Sequence, residues 1–352
     1  MEVVFVLDTT GSMGGLIDAA KDKIWSLAST LASAQPAPQI RLGLVAYRDR
    51  GDAYVTRVVD LSPDLDAIHA ALMDLEAQGG GDGPESVNQA LHEAVQRIAW
   101  SADPKAYQVV FLVGDAPPHL GYPNDVPYWE TLALAREKGI RVNAIQCGQD
   151  ATTTEHWQRI AQLGDGQYLR VDQAGSAVAV ATPYDRRLAE LAAELDATRL
   201  YYGSAEEQAL KERKQAASEK RQAEASLASR ARRAGFNARE AGKASFLGDK
   251  ELVEDVTSGR VELSAIAPTL LPAPPQAMAP EEKQAVIAEK AERRQTLSEE
   301  IQALSAQRSA YLEQELAERG GAKDSLDDQL YGAIREQAAA RGLRYEGESP
   351  VY

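Results

Sequence analysis

The amino-acid sequence predicts an α/β fold in its first half, with a doubly wound, mostly parallel and Rossmann-like sheet, followed by an α-helical region. Two observations support this prediction. Short apolar runs alternate with longer amphipathic stretches up to about residue 180, which is typical of a sheet that carries helices on both faces. From residue 184 onward alanine and charged residues dominate instead. We therefore divide the chain into a first domain, residues 1–180, and a charged helical region, residues 184–352.

The elements of the first domain follow from the spacing of its apolar residues. Predicted strands lie at residues 3–7, 42–47, 54–61, 109–113, 142–147 and 167–171. Predicted helices lie at residues 17–31, 65–75, 87–98, 129–138 and 155–163. The first strand is a continuous apolar run, as expected of a buried parallel strand. No helix fits between residues 47 and 54, so the second and third strands should form an antiparallel hairpin at one edge of the sheet.

The helical region suits long helices at about residues 204–233 and 281–319, joined by a proline-rich linker, with a shorter helix over residues 324–341. Leu297, Ile301, Leu304 and Leu312 form a narrow apolar stripe on the second long helix. Such a stripe favours a helical hairpin or a partly coiled-coil arrangement. Residues 204–240 contain nine basic and six acidic side chains, and residues 281–319 contain six and nine. This opposite charge favours pairing of the two helices with each other.

Composition excludes several classes of function. The chain has 352 residues, with 53 acidic and 38 basic side chains and a formal net charge of −15, which argues against nucleic acid as a partner. No apolar run approaches the length of a transmembrane helix, so none is predicted. The single cysteine, Cys147, excludes a disulfide framework and a metal site built from several thiolates.

The loop after the first strand carries Asp8, Thr10 and Ser12 at alternate positions. Oxygen ligands without sulfur or imidazole suit a hard cation such as Mg²⁺, Mn²⁺ or Ca²⁺, although the same residue types also cap helices. Asp115 follows the predicted strand at residues 109–113. Ligands gather at the carboxyl ends of parallel strands, so we expect Asp8 and Asp115 to face one cleft if their strands are neighbours.

These motifs resemble the metal-ion-dependent adhesion site of the von Willebrand factor type A (vWA) family, and the resemblance covers roughly residues 1–180. Asp8-x-Thr10-x-Ser12 matches the first motif of that site, and Asp115 matches its distal aspartate. Where many members have a metal-binding threonine, this chain has Asp-Gly-Pro-Glu at residues 82–85, which resembles integrin β I-like domains. The resemblance implies that Glu85 binds the metal directly and that Asp82 lies nearby, but which of them replaces the threonine stays open.

The same resemblance implies a function. It predicts a divalent-cation-dependent module for protein binding, cell adhesion or complex assembly, not an enzyme, in which an acidic side chain of the protein partner completes the shell around Mg²⁺, Mn²⁺ or Ca²⁺. His119 lies in the loop after Asp115 and is a candidate contact to the ligand. Two alternatives remain open: a metal-dependent hydrolase with His119 or Asp82 as its base, and a scaffold subunit for a separate ATPase.

Compartment is an expectation only. The loop form resembles secreted or periplasmic bacterial members of the family, and a start directly before the first strand fits removal of a signal peptide. We therefore expect a periplasmic or extracellular protein, with a cytoplasmic location as the alternative.

Overall fold

A computed structural model describes residues 1–81, 83–173, 180–318, 325–346 and 350. The chain forms two compact units. Residues 1–179 and 316–351 make the first unit, and residues 180–315 make the second. The first unit contains a mixed α/β sheet, and the second is helical.

The sheet of the described residues has six strands in the order β3-β2-β1-β4-β5-β6. The strands are β1 (Glu2–Asp8), β2 (Arg41–Tyr47), β3 (Thr56–Ser62), β4 (Gln108–Gly114), β5 (Arg141–Cys147) and β6 (Tyr168–Val171). All neighbouring strands are parallel except β2 and β3, which form the antiparallel pair at the edge. The predicted fold class, the predicted hairpin and the positions of the strands are thus confirmed.

Helices cover both faces of this sheet. They are α1 (Gly14–Ala32), α2 (Leu65–Met73), α3 (Val87–Gln96), α4 (Tyr128–Lys138) and α5 (Ala151–Leu163). All seven residues of β4 are buried, because a central strand is covered from above and below. The helix α1 begins six residues after the end of β1. The segment between β1 and α1 lies at the carboxyl edge of the sheet.

The second unit is built from shorter helices around one long helix. They are α6 (Asp185–Asp196), α7 (Ala205–Glu224), α8 (Leu227–Asn237), α9 (Glu240–Leu247), α10 (Leu252–Thr257) and α11 (Pro280–Glu318). Apolar side chains of α6, α8, α9 and α11 form one core, in which Leu297 and Ile301 of the predicted stripe are fully buried. The described helices include none with an apolar stretch of the length needed to span a lipid bilayer.

The first predicted long helix, residues 204–233, is two helices in the structure. Ala225 has an extended backbone (ψ 152°), and the Ser226 side chain accepts a hydrogen bond from the Ser229 N–H at 3.1 Å. This serine therefore caps a new helix, α8, and ends the run that composition alone predicted. Of the 20 residues of α7, all within the described part of the chain, Gln222 alone is buried. The long helix α11 shares an apolar core with α8. The predicted hairpin, in which one continuous helix over residues 204–233 pairs with residues 281–319, is therefore not observed.

The last helix, α12 (Leu326–Ala339), belongs to the first unit. The Lys23 Nζ lies 2.5 Å from an Asp327 carboxylate oxygen. The Tyr107 hydroxyl donates to Gln337 Oε1 at 2.8 Å, and the amides of Gln337 and Asn143 bond to each other. The division at residues 180/184 placed this helix with the helical region, because sequence composition carries no record of these long-range contacts.

Candidate functional site

The pairing of β1 with β4 brings two candidate residues to one edge of the sheet. Leu7 on β1 lies opposite Val113 on β4. Asp8 is the last residue of β1, and Asp115 directly follows β4. Their strands are neighbours, as the expectation of a shared cleft required. A ligand site is therefore expected at the carboxyl edge of the sheet between β1 and β4.

Asp8 organises the loop that follows it. One of its carboxylate oxygens, Oδ1, accepts hydrogen bonds from the Thr10 N–H at 2.9 Å and the Thr10 hydroxyl at 2.7 Å. The Thr10 hydroxyl lies 3.4 Å from the Ser12 hydroxyl. Asp8 is fully buried and Thr10 almost so, while Ser12 is exposed. The three side chains of the predicted motif therefore lie together, with the carboxylate beneath the two hydroxyls.

A glycine-containing segment before α3 packs directly on this loop. The Gly11 N–H donates to the Gly79 carbonyl at 3.1 Å, and the Gln78 N–H donates to the Thr9 carbonyl, also at 3.1 Å. Gly80 has a positive φ of 81°, and a Cβ there would lie 3.2 Å from Thr10 Cβ and 3.4 Å from Glu85 Oε1. Only glycine combines that backbone conformation with so close an approach. This packing sets Glu85 beside the first loop.

Backbone hydrogen bonds fix Glu85 from the opposite side. Its N–H donates to the Pro117 carbonyl at 2.9 Å, and its carbonyl accepts from the His119 N–H at 2.8 Å. The loop after β4 is itself held because the Thr153 hydroxyl donates to the Asp115 carbonyl at 3.1 Å. These bonds draw residues from two distant parts of the sequence to the same edge as Asp8.

Three carboxylates at this edge each keep one buried oxygen without a hydrogen-bond partner among the described residues: Asp8 Oδ2, Glu85 Oε2 and Asp115 Oδ1. Burial raises the pKa of Asp8 to about 7, with the Asp115 charge acting in the same direction. Burial also raises the pKa of Glu85 to about 9, aided by the neighbouring charges of Asp8, Asp49, Asp52 and Asp115. A buried ionised carboxylate without a partner is energetically unfavourable. A positive charge bound beside these three carboxylates would therefore stabilise their ionised forms.

The site opens into a cleft of about 480 Å³. Thr10, Ser12, Glu85 and Asp115 line it, together with Asp150 and the start of α5. Within the described ranges, no three His, Cys, Asp or Glu side chains are grouped so that they could hold a metal ion by themselves. Asp8, Glu85 and Asp115 therefore do not form a three-carboxylate cage. A cation at this edge would need hydroxyl oxygens as well, and the Thr10 and Ser12 hydroxyls are of that kind.

A polar turn between β2 and β3 supports the site. The sequence pattern did not predict this supporting role. The most common interpretation of residues 47–52 is a solvated turn, yet Arg48 and Asp49 are buried. The Arg48 guanidinium donates to the Thr9 carbonyl at 3.1 Å. Asp49 accepts bonds from the Ser86 hydroxyl at 2.7 Å and the Tyr122 hydroxyl at 2.5 Å. The clustering of charged residues next to a strand end was the signal that could have identified this turn.

The remaining candidates lie in different situations. The His119 ring stacks on Tyr122 with 3.7 Å between ring centroids, and its Nδ1 accepts the Gly121 N–H at 3.2 Å. Asp82 lies outside the described residues, so its role stays a prediction. Gln173, which no sequence pattern indicated, donates from its amide to Asp115 Oδ2 at 2.5 Å. Gln173 thus occupies one Asp115 oxygen, and the other has no hydrogen-bond partner in the part of the chain that the structure describes.

Comparison with known proteins finds a family match for the first half of the chain. The family model of the von Willebrand factor A domain matches residues 2–182. Human von Willebrand factor A domain-containing protein 7 is 34% identical over 114 residues, which are 32% of this chain and 12% of that protein. The alpha-protein kinase vwkA of Dictyostelium discoideum is 27% identical over 121 residues, which are 34% of this chain and 19% of the kinase. The matched part of this chain thus corresponds to a small fraction of each relative.

A solved structure also aligns with about half of the chain. It is the crystal structure of the conserved hypothetical protein BatB from Bacteroides thetaiotaomicron, with a TM-score of 0.39 and 19% sequence identity. The alignment covers 49% of this chain and 90% of that structure.

Proposed function

Because this chain belongs to the von Willebrand factor A domain family, whose domains are generally protein-binding modules, we propose that it binds a protein partner through a divalent cation held at the carboxyl edge of the sheet. A helical region follows the family domain. The observation that carries the proposal is the set of three buried carboxylate oxygens, on Asp8, Glu85 and Asp115, that have no hydrogen-bond partner among the described residues.

The donor set favours Mg²⁺, with Mn²⁺ or Ca²⁺ as alternatives. Asp8, Thr10 and Ser12 would hold the ion from one side, and Glu85 and Asp115 from the other, with Asp82 nearby. All of these ligands are oxygens, which are the donors that hard divalent cations prefer. The bound cation supplies a positive charge that relieves the repulsion among the carboxylates.

The chemistry of the site also indicates the partner. Two of the proposed ligands, Thr10 and Ser12, are neutral hydroxyls, so they add no negative charge to that of the three carboxylates. Thr10, Ser12 and Glu85 line an open cleft, which gives an external group access to this edge. A hard divalent cation takes six or more oxygen ligands, and an Asp or Glu side chain of a partner protein supplies the one that completes the shell.

A peptide selection tests this proposal. The full chain is immobilised with Mg²⁺, a random displayed-peptide library is applied, and bound members are eluted by chelation of the metal. We expect the eluted peptides to share an Asp or Glu whose change to Asn or Gln abolishes binding, and the Asp8→Asn chain to retain none of them. Selected peptides that lack a common acidic residue, or that stay bound after chelation, would contradict the proposal.

We also propose that the site binds without turnover. A hydrolase needs a general base beside the metal-activated water, and the ring of the candidate base His119 is stacked on Tyr122 with Nδ1 already engaged. Incubation of the Mg²⁺-loaded chain with phosphoester and peptide substrates should give no product. Product formation that disappears in the Asp8→Asn variant would instead establish the hydrolase alternative.

A further inference from the structure

The helical unit contains a cleft of its own, separate from the edge of the sheet. It has a volume of about 400 Å³ and lies where the α8–α9 corner meets α10 and α11. Its walls are mixed: Phe246 and Leu247 provide apolar surface, and Arg239, Lys243 and Arg294 provide positive charge. These three cations differ in the partners that they have within the protein.

Arg294 and Lys243 are both occupied. The Arg294 guanidinium donates to both carboxylate oxygens of Glu251 at 2.9 Å, and to the Thr198 hydroxyl and carbonyl at 3.0 and 3.1 Å. Lys243 Nζ lies 2.9 Å from a carboxylate oxygen of Glu254. Each of these cations already has a carboxylate partner, so an external anion would have to compete with Glu251 or Glu254 for it.

Arg239 differs from them. Its side chain is largely buried, yet it makes no hydrogen bond or ion pair with any residue that the structure describes. Burial alone lowers the pKa of Arg239 from its usual value, but a guanidinium remains charged at neutral pH. Because no Arg239 nitrogen is among the fully buried atoms without a partner, the guanidinium reaches the solvent of the cleft and can pair with an anion there.

The backbone at the same place adds positive potential. Arg239 is the N-cap residue of α9, and no side chain caps that end of the helix. The first N–H groups of a helix attract anions. Among the acidic groups that line the cleft, Glu254 is paired with Lys243, and Glu299 accepts the Gln295 amide at 2.6 Å, while Glu240 is exposed.

From these observations we propose that the cleft binds a small anionic molecule, whose carboxylate or phosphate group pairs with Arg239 while its apolar part contacts Phe246 and Leu247. A guanidinium can hold either group with two parallel hydrogen bonds. Aromatic and aliphatic side chains beside a cation that has no partner among the described residues are the usual composition of a small-molecule site. This site is independent of the cation site on the first unit.

Calorimetric titration of the full chain tests the proposal. Inorganic phosphate and hexanoate are the probes, added at constant ionic strength against chloride, in buffer freed of divalent cations on a chelating resin so that the edge of the sheet takes no part. We expect saturable binding of at least one probe to the native chain. Phosphate binding alone identifies a phosphate ligand, and preferential hexanoate binding identifies a carboxylate with an apolar tail.

Three variants make the test specific. Arg239→Gln should lose the binding, Arg239→Lys should retain a weakened form of it, and Arg213→Gln, a change on the exposed face of α7, should leave it unchanged. In the absence of either probe, Arg239→Gln should melt close to the native temperature, because the Arg239 side chain forms no hydrogen bond or ion pair with the described residues that the change would remove. The inference is overturned if neither probe binds, if Arg239→Gln binds as well as the native chain, or if Arg239→Gln lowers the melting temperature without any probe.

Discussion

At the scale of single residues, the edge of the sheet is dominated by carboxylates that are buried next to one another. Asp8 and Glu85 both have raised pKa values, about 7 and about 9, because burial and the neighbouring negative charges disfavour their ionised forms. In the unfolded chain both groups titrate near pH 4. The folded, metal-free protein therefore binds protons that the unfolded chain has already lost.

This difference sets the pH dependence of the metal-free protein. Between about pH 4 and pH 7 for Asp8, and up to about pH 9 for Glu85, the folded state binds more protons, so the free energy of unfolding should fall as pH rises. Urea denaturation followed by tryptophan fluorescence between pH 5 and pH 8 measures this slope, since all four tryptophans, Trp25, Trp100, Trp129 and Trp157, belong to the first unit.

Two controls accompany that measurement. Saturating Mg²⁺ should reduce or reverse the slope, because a bound cation favours the ionised carboxylates. Asp8→Asn should flatten the slope without the metal, whereas the exposed change Asp165→Asn should not. A metal-free stability that rises over the same pH range would show that these carboxylates are not destabilised in the folded state.

Glu85 and Asp82 should differ in their effect on the cation. Backbone bonds fix Glu85 at the edge of the sheet, and one of its oxygens is buried without a partner among the described residues. We therefore expect Glu85→Gln to weaken Mg²⁺ affinity by about 10-fold or more, a loss typical of a ligand or its immediate support, and Asp82→Asn to weaken it less. Titration of both variants with Mg²⁺ decides the order, and the reverse order would assign the direct contact to Asp82.

At the scale of elements, α12 completes the first unit although more than a hundred residues separate it from β6. Leu330 contacts an apolar space of about 70 Å³ that is also lined by Phe5, Leu7 and Leu44 of the sheet. Ile334 is fully buried. The helix therefore covers part of one face of the sheet, and a fragment that ends at residue 180 would leave that face exposed to water.

Ile334→Ala should reveal this contribution. Removing three carbon atoms from a buried side chain costs about 2–5 kcal/mol of stability, and the loss should be visible in urea denaturation followed by the tryptophans of the first unit. Glu336→Ala, an exposed change on the same helix that removes one hydrogen bond from Gln167, should cost no more than about 1 kcal/mol. Equal, small effects of both changes would mean that α12 does not stabilise the sheet.

Strand and helix positions in the first unit could be predicted because each element carries its own period of apolar residues. The proximity of Asp8, Thr10 and Ser12 could be predicted for a related reason, because all three belong to one short loop. The break at Ser226 was not, because the residues around it favour a helix and only the backbone conformation shows that the serine begins a new one. Local patterns indicate the type of an element more reliably than its ends.

At the scale of the whole molecule, the sequence order of the parts is itself informative. Residues 180–315 form the second unit. In the sequence they come after β6 and before α12, which both belong to the first unit. The first unit is therefore assembled from two separate stretches of chain, which composition could not indicate because α12 resembles the charged helices before it. The contact of Gln337 with Asn143 and Tyr107 depends on residues about 200 positions apart, and no local pattern encodes it.

The supporting turn at residues 48–52 was missed for the same reason. Arg48 and Asp49 are usually surface residues, and here they are buried because Thr9, Ser86 and Tyr122 supply their hydrogen bonds. The partners come from three other loops, each at the carboxyl edge of a strand or the start of a helix. A family resemblance predicted the residues that would hold the metal, but not the ones that hold those residues in place.

The central claim, that this edge of the sheet binds a divalent cation, is tested most directly by calorimetric titration of Mg²⁺ into the full chain and its Asp8→Asn variant. The native chain and the Asp165→Asn control should show saturable binding at one site. The Asp8→Asn chain should show none, while it melts no lower than the metal-free native chain because a buried negative charge has been removed. Unchanged Mg²⁺ affinity in Asp8→Asn, or no binding of Mg²⁺, Mn²⁺ or Ca²⁺ to the native chain, would contradict the account.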